Sequence, residues 1–203
     1  KNIYQIIRED NINNFPNTRK IKVDLNDSSF VDKLPSNIDT IVHLAQSENY
    51  KLFPEFSYDI YNINIQSTFN LIEFARKNNC KKFFYASSGS VYDNSIKSNL
   101  PLKENSILKN KSLDFYTASK LSSENILSPY SKFINVIVGR IFFPYGLRQK
   151  RTMFIPRIIE MVNNYDEIKV SGKDGLIFNP TSAEFISYCI FNLLENNKKG
   201  IFN

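Results

Sequence analysis

The residues in this chain best suited to chemistry are a serine turn and a tyrosine–lysine pair. The stretch Lys81-Lys82-Phe83-Phe84-Tyr85-Ala86-Ser87-Ser88-Gly89-Ser90-Val91-Tyr92 reads as a buried strand over Phe83–Ala86 that ends in a small polar turn. Further on, Tyr116-Thr117-Ala118-Ser119-Lys120 places a phenol and an ammonium at i and i+4, on one face of a helix. A hydroxyl at a strand end, facing a phenol and an ammonium, can move protons at a substrate oxygen. The ammonium is expected to stabilise phenolate and lower the tyrosine pKa, letting Tyr116 act as a base near neutral pH.

The elements that must position these groups follow from hydrophobic patterning. Ile3–Ile7 reads as a strand ending at Arg8-Glu9-Asp10, and Ile21-Lys22-Val23-Asp24-Leu25 as a second. Asp27 or Ser28 can cap a helical turn carrying Phe30, Val31 and Leu34, which Pro35 stops. Thr40–Ala45 is apolar enough to be a strand buried on both faces. Residues 57–79 form the longest helical pattern, with Ile65, Phe69 and Ile72 at i, i+4 and i+7 and with Ile60, Leu71 and Phe74 widening the stripe. Asp114 is placed to cap the helix bearing Tyr116 and Lys120. Asn135–Arg140 is the next strand, broken by Phe143-Pro144-Tyr145-Gly146. A helix is expected over Phe154–Val162, a short strand over Ile168–Val170, a helix over Glu184–Leu194, and the beginning of another strand at Gly200-Ile201-Phe202. Strands alternating with helices argue an α/β fold: a parallel sheet with helices on both faces. Sites in such sheets lie beyond the carboxyl ends of the strands, and Arg8, Asp24, Ala45, Ser87 and Arg140 all fall at such ends.

Composition bounds the alternatives. The 203 residues, 42% hydrophobic and 23% charged, suit one soluble domain with a sizeable core. No apolar run approaches the ~20 residues of a membrane span, and nothing reads as a signal peptide. The net charge is +6 and the pI about 9.2. The basic residues are dispersed, with only short runs such as Arg148-Gln149-Lys150-Arg151, and no aromatic pattern of an RNA module accompanies them. A solvated basic surface is therefore expected rather than a nucleic-acid partner. Cys80 and Cys189 match no metal or redox spacing, which points to a reducing, cytoplasmic setting. With His43 as the only histidine, neither a histidine-based metal site nor a Ser-His-Asp triad is expected.

The pattern Ser87-Ser88-x-x-Val91-Tyr92 followed by Tyr116-x-x-x-Lys120 resembles the extended short-chain dehydrogenase/reductases, the NAD-dependent epimerase/dehydratase family. The resemblance implies a Rossmann-like sheet, catalytic roles for Ser88, Tyr116 and Lys120, and a transient hydride transfer assisted by them. It implies that Asp24-Leu25 holds the adenine of an NAD(P) cofactor and that Leu44-Ala45-Gln46 runs along its ribose and phosphates. Ala86 and Ser87, with Tyr116 and Lys120, complete the cofactor contacts, and Asn64 steadies the catalytic lysine. Arg8 stands near the position that chooses between NAD and NADP, with Glu9 and Asp10 beside it, so the choice stays open. His43 is read as structural. Ser88 and Phe143 border the substrate.

The chain also departs from the pattern. Phe143 stands where many members carry asparagine. Ile177, after Gly172-Lys173-Asp174-Gly175, stands near a diphosphate-binding arginine of nucleotide-sugar members, and Ser182-Ala183-Glu184-Phe185 replaces an acidic pair. Gly89 and Ser90 stand where 4,6-dehydratases carry their acidic pair, which favours epimerisation or reduction over elimination. There is no glycine-rich dinucleotide turn, since the first glycine is Gly89. A fragment is therefore expected, lacking the family's first strand and that turn. Residues 1–145 would be a partial dinucleotide-binding domain, and 146–203 part of a substrate-binding subdomain interleaved with the sheet. The resemblance also implies a homodimer through helices 57–79 and 114–130. The expected function is an epimerase or reductase acting on a sugar-linked, nucleotide-sugar type of small molecule. The alternative is a non-catalytic relative, a dinucleotide-sensing or protein-binding module of the same fold.

Overall fold

The computed structural model of the chain describes residues 2–9, 15–93, 101–170 and 178–203. Asp10, Gly172 to Gly175 and Ile177 lie outside the described residues. Four strands form the principal sheet, all parallel, in the order β3 (Thr40–His43), β4 (Lys82–Ser88), β5 (Asn135–Ile141) and β8 (Gly200–Phe202). Two further strands, β1 (Ile3–Ile7) and β2 (Thr18–Lys22), pair in parallel with each other and not with this sheet. A short parallel pair, β6 (Pro144–Tyr145) and β7 (Thr181–Ser182), ties the loop after β5 to the last helix.

β4 is central because nearly every residue in it tolerates burial: Phe83, Phe84 and Tyr85 are almost fully enclosed. Phe83 and Tyr85 face the main core with Val136 and Val138 of β5. Leu71, Ile72 and Ala75 of α2 (Ser67–Lys77) and Leu127 of α3 (Phe115–Leu127) close over them. Each such side chain contributes about 1.5–3 kcal/mol when withdrawn from water. On the opposite face α5 (Ala183–Glu195) lies against β4, where the Lys82 ammonium donates to the Leu194 carbonyl at 2.6 Å. Helices thus lie on both faces of the four-stranded sheet.

Several expectations need correction. β2 runs over Thr18–Lys22 rather than Ile21–Leu25, because its ladder is set by β1. Ile3 pairs with Thr18 and Ile7 with Lys22, so Asp24 and Leu25 fall past the end of the partner. One continuous sheet is replaced by separate ladders. β3 is not buried on both faces: it is an edge strand, only His43 of its residues is buried, and Val42 is 43% exposed. Ile168–Val170 is irregular and pairs with no strand among the described residues. The long helix is interrupted: α1 (Ser57–Tyr61) passes through a widened π turn, Asn62–Gln66, into α2. The wider turn rotates the buried face, so Ile60, Ile63, Leu71, Ile72 and Ala75 are enclosed while Phe69 is 41% exposed. Asp27 caps a 3-10 turn over Ser28–Lys33 that buries Phe30. A helix over Phe154–Asn163 (α4) and α5 stand where patterning places them.

Candidate active site

Asp114 begins α3 as an N-cap: its carboxylate accepts from the Thr117 amide and hydroxyl, both at 2.8 Å. With its proton given to Asp114, the Thr117 hydroxyl oxygen accepts from Ser90 Oγ at 3.2 Å, tying the helix start to the turn after β4. In that turn the Ser90 amide donates to Ser88 Oγ at 3.1 Å. One helical turn on, Lys120 is buried, and its Nζ donates to the Ala86 carbonyl at 2.9 Å. The same ammonium lies 5.1 Å from the Tyr85 ring centre and 5.8 Å from that of Tyr116. Ser88, Tyr116 and Lys120 therefore meet at the carboxyl end of β4.

The electrostatics differ from the simplest expectation. Burial pushes Lys120 down to about 8, opposed by the negative charge of Glu124. Burial likewise raises Tyr116 above its ordinary value, and a hydrogen bond with Ser88 pulls it part of the way back. The expected lowering of Tyr116 by Lys120 is not realised in this structure, because burial of the phenol prevails. Tyr116 is a protonated phenol here.

Asn64, inside the π turn, binds in several directions. Its Oδ1 accepts from the Ser47 amide at 2.9 Å and its Nδ2 donates to Ser119 Oγ at 2.9 Å, beside Lys120. Its carbonyl accepts from Thr68 Oγ1 at 2.7 Å and Ser123 Oγ at 2.8 Å. Ser119 Oγ in turn donates to the Tyr116 carbonyl at 2.7 Å. His43 Nε2 lies 3.0 Å from Thr68 Oγ1, whose proton is committed to Asn64, so we assign Nε2 as the protonated nitrogen. Burial first, then the Lys120 charge, pushes His43 down to about 3, and it stays neutral as a structural residue.

Other residues implied in cofactor or substrate contact are scattered along the rim. Leu44 is exposed just past β3, with Ala45 and Gln46 half-buried beside it. The Asp24 carboxylate accepts from the Asn26 amide at 2.9 Å, closing its own turn, and Leu25 packs on the core. Arg8 is exposed and lies 3.6 Å from Glu9 and 3.5 Å from Glu48, which also pairs with Lys150 at 2.8 Å. The side chain of Ser87 is not on the rim. It is buried on the helix side of β4 and donates to Glu124, so only its backbone is left to face a ligand. Phe143 has φ +35°, a left-handed conformation unusual for a phenylalanine, and packs 5.0 Å from Phe178 and 6.1 Å from Phe154.

Sequence reading missed Glu124 and the partnership of Arg140. They form a buried ion pair, with Arg140 Nη2 at 2.7 Å and Nε at 3.1 Å from the Glu124 carboxylate. The available signal was a carboxylate one turn beyond Lys120 on the same helix, and an arginine inside an otherwise apolar strand.

A parallel α/β sheet that gathers polar side chains at one rim defines a Rossmann-like, dinucleotide-fold protein. The model of the NAD dependent epimerase/dehydratase family matches residues 1–176, and the chain belongs to that family. GDP-mannose 3,5-epimerase 1 of Oryza sativa subsp. indica is 30% identical over 179 residues, covering 82% of this chain and 46% of that protein. The chain thus spans about half the length of such relatives. Among solved structures, a UDP-N-acetylglucosamine 4-epimerase from Methanobrevibacter ruminantium M1, in complex with UDP-N-acetylmuramic acid, superimposes with TM-score 0.85. The identity is 23%, with 100% of this chain and 68% of that one covered. A UDP-glucuronic acid 4-epimerase from Bacillus cereus, in complex with UDP-glucuronic acid and NAD, gives TM-score 0.77 at 24% identity, covering 92% of this chain and 59% of that one. These structural likenesses establish the fold.

Proposed function

We propose that this chain carries the proton-transfer machinery of an NAD(P)-dependent epimerase or reductase whose substrate is a nucleotide sugar. The observation that carries the reading is the convergence of Ser88, Tyr116 and Lys120 at the end of β4, with Lys120 buried and bonded to the Ala86 carbonyl. The rim from Leu44 to Gln46 and from Ala86 to Ser88 fits the nicotinamide-riboside end of a dinucleotide. Its pyrophosphate needs a glycine-rich cradle that this chain does not contain. Bound there, a nicotinamide would supply the hydride acceptor and donor.

The chain's own residues handle the proton. Ser88 donates to the reacting substrate oxygen and orients it. Tyr116, protonated and partly screened from water by Tyr50 at 5.0 Å, gives a proton to that oxygen or, in the reverse direction, takes one. Lys120 supplies the positive charge that makes the phenolate tolerable. Gly89 and Ser90 offer no carboxylate for elimination, so epimerisation or simple reduction fits better than dehydration.

Arg8 is already paired with Glu9 and Glu48, which supports NAD over NADP. Residues 146–203 would form part of a substrate subdomain, with β8 returning to the main sheet. The exposed face of α1 and α2, with Tyr58 and Phe69, would lie in a homodimer interface with α3. Free thiols at Cys80 and Cys189 suit a cytoplasmic setting, and among the described residues no helix is long and apolar enough to cross a membrane.

The test is calorimetric titration of NAD and NADP into the full-length protein, native and Tyr116→Phe/Lys120→Ala, followed by NMR of UDP- and GDP-linked sugars for isomerisation. Micromolar NAD binding that weakens in the double variant is expected. Absence of binding by either dinucleotide would overturn the enzyme reading and leave a non-catalytic relative of the same fold.

A further inference from the structure

Among the described residues, the largest fully buried side chain is a cation. Arg140, on β5, sits opposite Ser87 in the β4–β5 register and is 2% exposed. Its guanidinium grips Glu124 through two nitrogens. The third donates to Tyr92 Oη at 2.9 Å and the Glu104 carbonyl at 3.2 Å, and the ring of Tyr92 lies 4.8 Å away. Tyr92 Oη donates to Asn203 Oδ1 at 2.7 Å, just past β8. Glu124, so fixed, accepts from Ser87 Oγ. Two side chains of α3 therefore clamp consecutive residues of β4: Lys120 holds the Ala86 carbonyl and Glu124 the Ser87 hydroxyl. The next residue is Ser88.

Core burial alone does not explain this arrangement. A buried ion pair is commonly no more stabilising than apolar side chains of similar volume. What these two charges supply instead is a fixed negative group one helical turn from Lys120.

We propose that Glu124, locked by Arg140, is a positioning residue of this site: it fixes the strand end that presents Ser88 and supplies the negative charge that holds the Lys120 ammonium in place. The inference rests on reading Lys120 as the ammonium of the site. The groups facing Lys120 allow this role to no other carboxylate among the described residues. Tyr116 on its own helix and Tyr85 on β4 both titrate above their ordinary values, and His43 on β3 is neutral. Arg140 on β5 is bonded to Glu124. Among the described residues it is the negative charge of Glu124, one turn along the same helix, that opposes the effect of burial on Lys120.

The experiment is an NMR pH titration of the Lys120 side chain, using lysine labelled at Cε, in the native chain, Glu124→Gln and Glu124→Asp, without cofactor. Circular dichroism and thermal melts establish which variants are folded. The Lys120 midpoint is expected to fall by roughly half a pH unit or more in Glu124→Gln. It should fall by less in Glu124→Asp, which keeps the charge but withdraws from Ser87. Should Glu124→Gln fail to fold, Glu124→Asp alone decides, by a lowered or an unchanged midpoint. A midpoint unchanged in every folded variant, even with a lowered melting temperature, overturns the proposal and leaves Glu124 a purely structural partner of Arg140. Because no dinucleotide is present, this outcome is independent of the calorimetry. A chain that binds neither cofactor yet shows the shift would sink the proposed function and keep the clamp.

Discussion

A lysine enclosed beneath two tyrosine rings, Lys120, carries a cost to the stability of this fold that pH can reveal. The Lys120 midpoint is near 8 in the fold against 10.5 in the unfolded chain, so the folded state binds this proton more weakly. The cost of keeping the charge buried, roughly 3 kcal/mol, is present in full below pH 8 and falls away as pH rises toward 10.5. Tyr85 and Tyr116, raised from 10.0, titrate with the opposite sign but only from about pH 10 upward. Between pH 7 and 10, urea unfolding of the native chain should therefore gain roughly 2 kcal/mol on Lys120→Met. A constant difference across that range would mean that Lys120 keeps its proton in the fold as firmly as in the unfolded chain, so that burial does not lower it.

At the scale of elements, the π turn at Asn62–Gln66 does two things at once. It frees the Asn64 carbonyl and side chain to bind Thr68, Ser123, Ser119 and Ser47. It also turns Ile72 inward and Phe69 outward. The two faces are separable by denaturation: Ile72→Ala should cost about 2–5 kcal/mol through the cavity it leaves, and Phe69→Ala less than about 0.5 kcal/mol in the monomer. Equal costs would restore an unbroken helix with Phe69 in the core. At the N-terminus of α3, Asp114→Ala should cost about 1 kcal/mol. It should also loosen the Thr117–Ser90 contact, which hydrogen exchange at Ser90 would register.

At the scale of the whole molecule, the exposed helix face bears on assembly. Tyr58 is 84% exposed on α1, with Tyr61 and Phe69 further along the same helical segment. Aromatic groups left in water on a helix that otherwise packs the core favour a second copy as cover. Sedimentation of the native protein should give a dimer, and Tyr58→Glu with Phe69→Glu a folded monomer. A native monomer at tens of micromolar would remove the dimer from the reading. Dimer formation also bears on the Phe69 measurement, which is why that cost is stated for the monomer.

What the sequence determined by itself is what depends on neighbours along the chain. Tyr116 and Lys120 share a face because a helix repeats every 3.6 residues, and Asp114 caps that helix because its carboxylate reaches amides only a few residues on. The aromatic run of β4 marked a buried strand for the same reason, and the serine turn after it marked the rim. The tertiary structure decided whatever depends on a distant partner. β2 begins and ends where β1 offers hydrogen bonds, β3 became an edge, and Ile168–Val170 is irregular, with no ladder partner among the described residues. Ser87 was turned away from the rim and Arg140 bound to Glu124, since charges distant in sequence meet only when strand and helix pack. The protonation of Tyr116 was likewise a tertiary outcome, because desolvation is set by everything that surrounds a group and not by the residue four positions along.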